Sequence, residues 1–468
     1  MSKTFLFVLA ASFATFVFSC GKEDGKQEPA PLPLYGADAN PTGDSIGGGN
    51  GYSKIVQSGD VTVHNLDELL TAFASAKSGD VIYVADGAAI DLGTATNIEI
   101  PAGITLAGNR GLNGAPGPLL FSNTTPPSSI LFLVEDDVRI TGLRFKGPDD
   151  DFPNIDYNVR PESGVLCLAV EGNQVEVENC EISNYSRGGV EIYPRGKNVH
   201  VHHCHLHDIH SYPVVVLNKS EPPVLVEACR INWIWHATAG SGAPGTGYEA
   251  RYNLIIREAA PDSWQPYNGQ HAIDMHDYLQ ILQERGHHVA GDFMRIHHNT
   301  FVSNAPNDPS VATSYDAAVR GVPRELAEFH HNIFLHSDPA QAIFQLDGNV
   351  WVYDNLYGSD QVHIPIALQT TPQILFVNPP PQAEAIPAIG GTINLNIQVN
   401  MFDTLQLKQV IVALNGDTLY NADKAPASGD VMINTSALNT SLPFQELTVT
   451  AVDSRGIVGR HSTVFTPQ

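Results

Sequence analysis

One eight-residue pattern recurs seven times between residues 175 and 357, and it constrains the fold more than any other feature. Its first, third and eighth positions are apolar or aromatic, and its sixth is Cys or Asn. The copies are VEVENCEI (175–182), VHVHHCHL (199–206), VLVEACRI (224–231), YEARYNLI (248–255), MRIHHNTF (294–301), AEFHHNIF (327–334) and VWVYDNLY (350–357). Their sixth positions lie 24, 25, 24, 46, 33 and 23 residues apart. A period near 24 residues indicates a solenoid in which each repeat forms one coil.

The sixth position of the repeat marks a bend in the strand, where side chains of neighbouring coils stack about 4.8 Å apart. Asn at such a bend hydrogen-bonds backbone groups of its own and adjacent coils, whereas Cys fills the space as a small apolar group. The column consists of Cys180, Cys204, Cys229, Asn253, Asn299, Asn332 and Asn355. We expect its cysteines to be free, buried thiols, because an in-line stack of three serves as packing without a disulfide.

Alternation inside each copy places every second side chain in the interior. No coil can bury its own apolar face, so the stack forms one cooperative core. The sequence therefore predicts an all-β fold with a right-handed parallel β-helix over residues 61–372. VRITGLRF (138–145) is predicted to be an earlier coil with Leu143 at the sixth position. The 46-residue interval fits either two coils or one coil with a long excursion.

Both ends of the β-helix carry sequence signals. Asn65 is placed to cap a helix over residues 66–77, which would cover the open end of the stack before the strand DVIYVADG. In the last part of the chain, short alternating runs and the hairpin signal Asn415-Gly416 indicate several short strands. We predict an immunoglobulin-like β-sandwich over residues 373–468, without a disulfide because this region has no cysteine.

Residues 1–20 are typical of a targeting segment. Lys3 precedes an apolar run that is short for a membrane span, and VFSC (17–20) resembles a bacterial lipobox. Acyl chains on Cys20 would anchor the chain without crossing the bilayer. The alternative is an ordinary cleaved signal peptide with a chance cysteine. Residues 21–60, rich in Gly, Pro and charge, are predicted to be a flexible tether. We expect a lipid-anchored protein of the bacterial cell envelope, periplasmic or on the cell surface.

The charge balance restricts the partners. The chain has 25 Lys and Arg against 50 Asp and Glu, a formal net charge of −25. This argues against nucleic acid, because phosphates need clustered cations. A β-helix presents a long parallel face that binds extended polymers across several coils. We expect an extended polysaccharide as the partner and a monomer in solution.

Strands about 12 residues before the sixth position are predicted to share one outer face. Alternation turns Asp274 and His276 outward in the segment HAIDMHD, and it turns Arg320 outward in AAVRG. The residues predicted to point inward are Ile273, Met275 and Val319. Coil stacking would bring the three outward side chains within roughly 5–10 Å of one another. The residues predicted to flank them are His271, Asp277 and Arg324.

These residue types suit the removal of a proton from the carbon next to a sugar carboxylate. That reaction needs a base and a group that neutralises the carboxylate. Nearby cations can adjust Arg320 or His276 so that it acts as the base. Ca²⁺ held by acidic residues such as Asp274 would neutralise the carboxylate. Hydrolysis of a glycosidic bond needs instead two carboxylates roughly 5–10 Å apart. Asp274 with Asp277, or Asp274 with Glu249, would form such a pair.

Histidines are concentrated in and beside the repeat. Six of them lie at positions 200, 202, 203, 205, 207 and 210, which resembles a metal site. Because they recur with the coil and are predicted to point both inward and outward, the pattern favours solvated or turn-packing histidines over a metal centre. The pairs His297-His298 and His330-His331 sit beside the Asn column and are interpreted as structural.

The order of three motifs resembles the pectin-lyase-like superfamily of β-helix proteins, with the pectate lyases as the nearest comparison. Pectate lyases carry an HHN-containing strand, then an Arg-Pro-Arg segment, then a His-Asn strand. The order here is IHHNTF (296–301), RGVPR (320–324) and FHHNIF (329–334). The spacing of the Pro between the two Arg residues differs from that of the family.

The resemblance implies that Arg320 is the proton-abstracting base, with Arg324 as the second Arg, and that Asp274 stands where the family has calcium-binding carboxylates. The first hypothesis is a polysaccharide lyase that cleaves a uronate-containing glycan by β-elimination, with His276 orienting the carboxylate. The side chains expected to bind substrate are His271, Arg324, Asp277 and Glu249. Two alternatives stay open: a glycoside hydrolase on the same scaffold, or a non-catalytic glycan-binding or adhesion protein.

Overall fold

Short β-strands hold nearly half of the described residues, and helices hold few. The computed structural model describes residues 34–466, except 125–129, 152–162, 218–222, 259–270, 279–288, 306, 380–385, 388–389 and 436–437. The predicted targeting segment with Cys20 and the first part of the predicted tether lie outside the described residues.

The β-helix is built from short strands with a few helical turns between them. Its helices are α1 (Leu66–Ser75), α2 (Pro309–Ala312) and α3 (Pro339–Ala342), besides 3₁₀ turns at Ala37–Ala39 and Leu112–Gly114. Its strands are β1 (Val61–Val63), β2 (Val81–Val84), β3 (Ala89–Asp91), β4 (Ile98–Ile100), β5 (Thr105–Ala107), β6 (Leu119–Phe121), β7 (Ile130–Val134), β8 (Arg139–Thr141), β9 (Arg144–Lys146), β10 (Leu166–Val170), β11 (Glu176–Glu178), β12 (Glu181–Tyr185), β13 (Gly188–Ile192), β14 (His200–His202), β15 (His205–Ile209), β16 (Tyr212–Val216), β17 (Val224–Glu227), β18 (Arg230–Ile234), β19 (Thr238–Gly240), β20 (Gly247–Arg251), β21 (Leu254–Arg257), β22 (His271–Met275), β23 (Phe293–His297), β24 (Thr300–Ser303), β25 (Tyr315–Val319), β26 (Leu326–His330), β27 (Ile333–Phe334), β28 (Ile343–Gln345), β29 (Val350–Tyr357) and β30 (Val362–Ile366).

These strands stack coil upon coil into two sheets. One sheet has 21 described strands, and its pairs are parallel except where β30 joins β29. The other has nine described strands in the order β28-β25-β22-β19-β16-β13-β10-β7-β4. In the first sheet, Val177, Val201 and Val226 stand in register on successive coils and are fully buried. The predicted right-handed parallel β-helix is confirmed.

The bend at the sixth position of the repeat is a turn through left-handed backbone. The residue before each column member has a positive φ of 46–56° in coil after coil. These residues are Asn179, His203, Ala228, Tyr252, His298, His331 and Asp354. Such a conformation lets the chain leave one strand and enter the next around a sharp corner.

Inside this corner, buried asparagines form a continuous hydrogen-bonded ladder. Oδ1 of Asn299 accepts from the backbone N–H and the Nδ2 of Asn253, at 3.1 and 2.9 Å. Oδ1 of Asn332 accepts the same two hydrogen bonds from Asn299, and Oδ1 of Asn355 accepts them from Asn332, at 3.0–3.1 Å. Each Nδ2 also donates to a backbone carbonyl of the preceding coil at 2.8–3.0 Å. The ladder meets the cysteines where the N–H of Cys229 donates to Asn253.

The cysteines continue the column as apolar filler. Cys167, Cys180, Cys204 and Cys229 are buried and free, which confirms the predicted free thiols of the column. Burial raises the pKa of the Cys180 and Cys204 thiols well above its usual value, so both stay protonated.

The 46-residue interval of the repeat is one coil with a long excursion. β20 pairs directly and in parallel with β23, with Glu249 opposite Arg295. The same coil contributes β22 to the nine-stranded sheet, between β19 and β25. The excursion therefore lengthens the coil that carries the segment predicted to hold the functional residues.

A short helix packs on the first coil, as predicted. Oδ1 of Asn65 accepts from the backbone N–H of Glu68 at 3.0 Å, and the Glu68 carboxylate accepts from the N–H of His64 at 2.8 Å. This reciprocal arrangement fixes the start of α1. Leu69 and Phe73 are buried in the core of the β-helix. One strand that the sequence analysis did not predict, β1, precedes α1 and pairs with β2.

Residues 34–52, here called the strap, lie along the corner of the β-helix. The strap backbone donates hydrogen bonds of 2.7–2.9 Å to three of the corners: Gly36 to His331, Gly47 to Ala228 and Gly49 to Asn179. These contacts hold residues 34–52 of the predicted flexible tether (21–60) against the β-helix, and residues 21–33 lie outside the described residues. The strap glycines permit close approach, since a Cβ at Gly48 would lie 2.3 Å from the carbonyl oxygen of His203.

The C-terminal region is a separate set of strands with its own apolar core. The strands are β31 (Gln373–Asn378), β32 (Ile386–Pro387), β33 (Thr392–Asn394), β34 (Asn396–Asn400), β35 (Leu407–Leu414), β36 (Asp417–Ala422), β37 (Met432–Asn434), β38 (Gln445–Asp453) and β39 (Val458–Thr466). Antiparallel pairs dominate, and the predicted hairpin at Asn415-Gly416 joins β35 to β36. An immunoglobulin-like topology stays a prediction.

This C-terminal module docks on the last coils through buried polar contacts. Nη2 of Arg455 donates to the carbonyl of Thr370 at 2.5 Å. The carbonyl of Ile374 accepts from Nδ2 of Asn349 at 2.9 Å and from Nδ1 of His461 at 2.8 Å. Asn349 and His461 are both buried, so the module covers backbone groups at this end of the stack.

Replacing one member of the ladder tests its contribution to stability. Asn332→Ala leaves the buried backbone N–H of Asn299 without its acceptor and the carbonyl of Ile296 without its side-chain donor. We expect the free energy of unfolding to fall by about 2 kcal/mol. Asn394→Ala, at an exposed position of β33, is the control, with an expected change within about 0.5 kcal/mol. Denaturant unfolding followed by circular dichroism measures both. Equal midpoints for the two variants would contradict the role of the ladder.

Buried imidazoles predict a loss of stability in acid. Burial lowers the pKa of His461 to about 4 and that of His330 to about 3. Because the folded state holds both in the neutral form, their contribution is complete above the ordinary histidine pKa of about 6.5 and is lost as the pH falls toward 4. Unfolding midpoints at several pH values measure this, and His461→Gln should flatten the dependence while the exposed control His64→Gln leaves it unchanged. The prediction fails if the wild-type midpoint is constant over this range.

Candidate functional site

The outer face of the nine-stranded sheet carries the candidate site. Ile273 and Met275 of β22 point into the core, so Asp274 lies on the opposite face of the strand. Asp274 stands in register with Ala318 of β25. Arg320 therefore follows on the next coil just beyond the strand, as alternation predicted, and its backbone N–H donates to the carbonyl of Met275 at 3.1 Å.

Asp274 and Arg320 form a two-pronged ion pair. Nε of Arg320 donates to Oδ1 of Asp274 at 3.1 Å, and Nη2 donates to Oδ2 at 2.5 Å. The Asp274 side chain is 0% exposed and that of Arg320 is 27% exposed. A buried carboxylate thus holds a guanidinium whose outer part reaches solvent. The hydroxyl of Tyr248 donates to the backbone carbonyl of Asp274 at 2.8 Å from the core side, which helps to fix the strand.

Two imidazoles lie on the other side of the Asp274 carboxylate. Nε2 of His276 is 3.1 Å from Oδ2 of Asp274, and Nε2 of His236 is 4.0 Å from the same oxygen. The His236 ring is buried, and its Nδ1 donates to the carbonyl of His271 at 2.5 Å. Tyr212 stacks on His236 with ring centroids 5.5 Å apart and meets His276 edge-on at 5.9 Å.

Burial and the guanidinium set the protonation of this group. Burial raises the pKa of Asp274 to about 6, although Arg320 opposes the shift. Burial and the positive charge of Arg320 together lower the pKa of His276 to about 4. The pKa of Tyr212 is raised, chiefly by burial. At neutral pH the site therefore combines an ionised carboxylate, a guanidinium cation, a neutral imidazole and a protonated phenol.

The structure brings together three of the residues proposed from sequence: Asp274, His276 and Arg320. His271 lies beside them as a buried residue at the start of β22, with its ring 5.5 Å from that of Tyr315. Burial lowers the pKa of His271 to about 3. Asp277 follows His276, and its charge contributes to the raised pKa of Asp274.

Two other proposed residues lie elsewhere. Nε of Arg324 is 2.7 Å from Oδ1 of Asp292, and this carboxylate also accepts from the backbone N–H of Gly245. Glu249 belongs to β20 of the 21-stranded sheet. Its Oε1 lies 2.8 Å from Nη1 of Arg251 and 3.3 Å from Nε2 of His297. Neither residue contacts the Asp274 carboxylate in any contact found among the described residues.

The sequence analysis missed His236, Tyr212 and Trp235. Trp235 and His236 lie in the turn that precedes β19, and Tyr212 begins β16. Strand alternation does not apply to turn residues, so the directions of Trp235 and His236 could not be predicted. The available signal was the coil period, which places these aromatic residues on the two coils before Asp274.

The side chains around Asp274 are poorly suited to bind the predicted Ca²⁺. Calcium takes six to eight oxygen ligands. Both oxygens of Asp274 are already engaged by Arg320, and the other near groups are the imidazoles of His236 and His276. An ion at this position would have to displace the guanidinium. Calcium at Asp274 stays a prediction.

Further polar and aromatic side chains continue along the same face. The register runs from Asp274 through Ala239 and Val215 to Glu191 of β13, three strands away and roughly 14 Å along the stack. Glu191 is held by Arg187, with contacts of 2.9 and 2.6 Å. The hydroxyl of Tyr193 lies 2.8 Å from the same Arg187. The face therefore carries polar groups around Asp274 and around Glu191, with the apolar Ala239 and Val215 between these two residues in the register.

Comparisons with known proteins show similarity at the level of the fold. No protein-family model and no curated protein matches the chain. An alginate lyase from Paenibacillus sp. str. FPU-7 is 14% identical with a TM-score of 0.38, over 62% of this chain and 98% of that chain. A double mutant of the tailspike protein of E. coli bacteriophage HK620, in complex with a pentasaccharide, is 10% identical with a TM-score of 0.30, over 88% and 90% of the two chains. At these values neither protein assigns an activity to this chain.

The described residues contain no helix that is both long and apolar enough to cross a membrane. The lipid attachment predicted at Cys20 lies outside them.

Proposed function

We propose that this protein is an exported lipoprotein that cleaves a uronate-containing polysaccharide by β-elimination. The observation that carries the proposal is the buried Asp274 carboxylate, which holds the Arg320 guanidinium and the His276 imidazole side by side on one outer face. Elimination next to a carboxylate needs a fixed cation to neutralise that carboxylate and a neutral base to remove the neighbouring proton.

Arg320 suits the role of the cation. Its guanidinium has five N–H donors, of which Asp274 takes only two. The remaining donors match the carboxylate of a uronate, which guanidinium groups bind in a planar fashion. A guanidinium carries no acceptor for the substrate's proton. The geometry therefore favours His276 over Arg320 as the base, in contrast to the assignment that the family resemblance implied.

His276 suits the role of the base. Its lowered pKa keeps it neutral at neutral pH. Its contact with Asp274 through Nε2 leaves Nδ1 for the substrate. In the reaction the imidazole takes the proton from the carbon next to the carboxylate, and the electron pair forms the new double bond. The bond from the adjacent carbon to the glycosidic oxygen breaks, and Tyr212 donates its hydroxyl proton to that oxygen. Solvent then returns both groups to their starting state.

A polysaccharide matches the shape of the surface better than a small substrate. The face from Asp274 to Glu191 extends roughly 14 Å across successive coils. Arg187 and Tyr193 at one end and Tyr212 near the other offer charged and aromatic contacts to sugar rings. An extended chain lying along the stack would meet all of them.

A glycoside hydrolase on the same face is less well supported. Its general acid must reach the glycosidic oxygen, yet the Asp274 carboxylate is fully buried and paired with Arg320. Glu249, one of the proposed partner carboxylates, lies in the other sheet. Asp277 remains as the second carboxylate of that alternative.

Substitution of the proposed base and acid tests the mechanism. We expect His276→Gln and Tyr212→Phe each to lower the rate by about 100-fold or more, measured as absorbance at about 235 nm from unsaturated ends. The assay uses a panel of uronate-containing glycans. The control variants are His363→Gln, at an exposed position, and Tyr83→Phe, on the first coils; both should keep the wild-type rate.

Substrate chemistry separates the alternatives. A carboxyl-reduced glycan should give no absorbance, because the proton next to an alcohol is not acidic enough to be removed. New reducing ends without absorbance would identify a hydrolase, and retention without either product would identify a binding protein. Either result, or a wild-type rate for His276→Gln, would refute the proposed elimination.

The proposed lipid anchor has its own test. We expect the wild-type chain to fractionate with membranes, because acyl chains on Cys20 hold it there. Cys20→Ala should release the protein into the soluble fraction with its glycan-cleaving rate intact. Membrane association that survives this substitution would contradict the anchor.

A further inference from the structure

We propose that Glu176, His200 and His202 form a binding site for a divalent transition-metal ion such as Zn²⁺. The site lies on the 21-stranded sheet, whereas Asp274 lies on the nine-stranded sheet. It is therefore separate from the proposed glycan site, and neither proposal depends on the other.

The three side chains converge because of strand geometry. His200 and His202 alternate on β14 and point to the same face, and Glu176 of β11 stands in register with His200. One ligand atom from each residue lies within 4.8 Å of the other two. The imidazole rings are 4.0 Å apart, and Nε2 of His202 is 2.9 Å from Oε1 of Glu176. Zinc bonds of about 2.0–2.2 Å fit such a group after small side-chain rotations.

Contacts behind the site orient the buried imidazole. Nδ1 of His202 lies 2.8 Å from Nδ1 of His203, whose Nε2 lies 3.0 Å from Oγ1 of Thr42 in the strap. This leaves Nε2 of His202 directed at Glu176, and outer contacts of this kind characteristically fix ligating histidines. His202 is 4% exposed, whereas His200 and Glu176 are 32% and 37% exposed. An ion can therefore reach the group from solvent and keep a bound water.

Local charge and donor type favour a transition metal. The charged side chains around the imidazoles are Glu176, Glu178, Glu227, Arg139 and Arg251. Three carboxylates against two guanidiniums leave one negative charge, which a dication would offset. Two imidazole nitrogens and one carboxylate oxygen suit Zn²⁺ and its first-row neighbours, whereas Ca²⁺ and Mg²⁺ prefer oxygen ligands alone.

The next strand of the same coil provides an internal comparison. His205 and His207 of β15 alternate in the same way beside Glu181 of β12. There, however, Nδ1 of His207 is 2.6 Å from Oδ2 of Asp208. Although burial opposes it, hydrogen bonding to Asp208 and Glu181 raises the pKa of His207 to about 9. This imidazole holds a proton at neutral pH, so the second group is a matched control and is not proposed as a site.

Metal titration of the full chain tests the site. The protein is prepared in detergent without a polyhistidine tag, stripped with EDTA, and titrated with Zn²⁺ by calorimetry and with Co²⁺ by visible absorbance. We expect His200→Gln and Glu176→Gln each to weaken one Zn²⁺ equivalent by about 10- to 100-fold. Both residues are partly exposed, so the metal-free variants should unfold at the wild-type temperature. His205→Gln should bind Zn²⁺ as the wild type does.

Several outcomes would overturn the site. They are the absence of stoichiometric Zn²⁺ binding to the wild type, unchanged Zn²⁺ stoichiometry and affinity in His200→Gln, and a larger loss in His205→Gln than in His200→Gln. Since no readout uses glycan cleavage, failure of the metal site is distinguishable from failure of the proposed lyase activity.

Discussion

The buried corner of each coil is the constraint on which the rest of the structure depends. The chain turns there through a left-handed residue, and the backbone groups inside the turn are shielded from water. The asparagine ladder satisfies these backbone groups, because each asparagine from Asn253 to Asn332 is hydrogen-bonded to the asparagine of the next coil, ending at Asn355. Unsatisfied groups at such a place would each cost about 1–3 kcal/mol, so the corner also fixes the vertical register of the coils.

Register in turn decides which side chains meet on the surface. Once the corners are aligned, Asp274 must stand beside Ala318, and the chain must place Arg320 over the carboxylate. The same register places Tyr212 and His236, which belong to the two preceding coils, next to each other. An Arg–carboxylate pair with one fully buried partner is a weak source of stability, because desolvation offsets the attraction. Its position on an outer face, beside a neutral imidazole, is better explained by binding or chemistry.

Strand alternation and the coil period were enough to predict the fold, the free thiols and the outward direction of Asp274, His276 and Arg320. These features follow from local periodicity, which is visible in one sequence. The sequence could not show that Glu249 lies in a different sheet from Asp274, because order along the chain does not tell which sheet a strand joins. His236 escaped prediction because turn residues have no fixed direction.

The corner geometry also decides features at the strap and at the histidines that composition leaves open. Glycine indicates freedom in an isolated chain, but at Gly48 the missing side chain allows contact with the carbonyl of His203. Likewise, alternation alone predicted only that some of these histidines point inward and others outward. His200 and His202 share one face, while the left-handed turn at His203 sends the next residues to another. Only the corner geometry separates these groups.

The acidic net charge is compatible with an acidic glycan because the two effects act over different distances. A net charge of −25 repels a polyuronate at long range, but the Debye length at physiological ionic strength is only about 8 Å. A carboxylate that contacts Arg320 lies well inside that distance, and partial burial reduces screening there. The fixed guanidinium therefore determines local recognition, while the overall charge affects only the approach. A buried partner such as Asp274 is what keeps that guanidinium in place on an otherwise acidic surface.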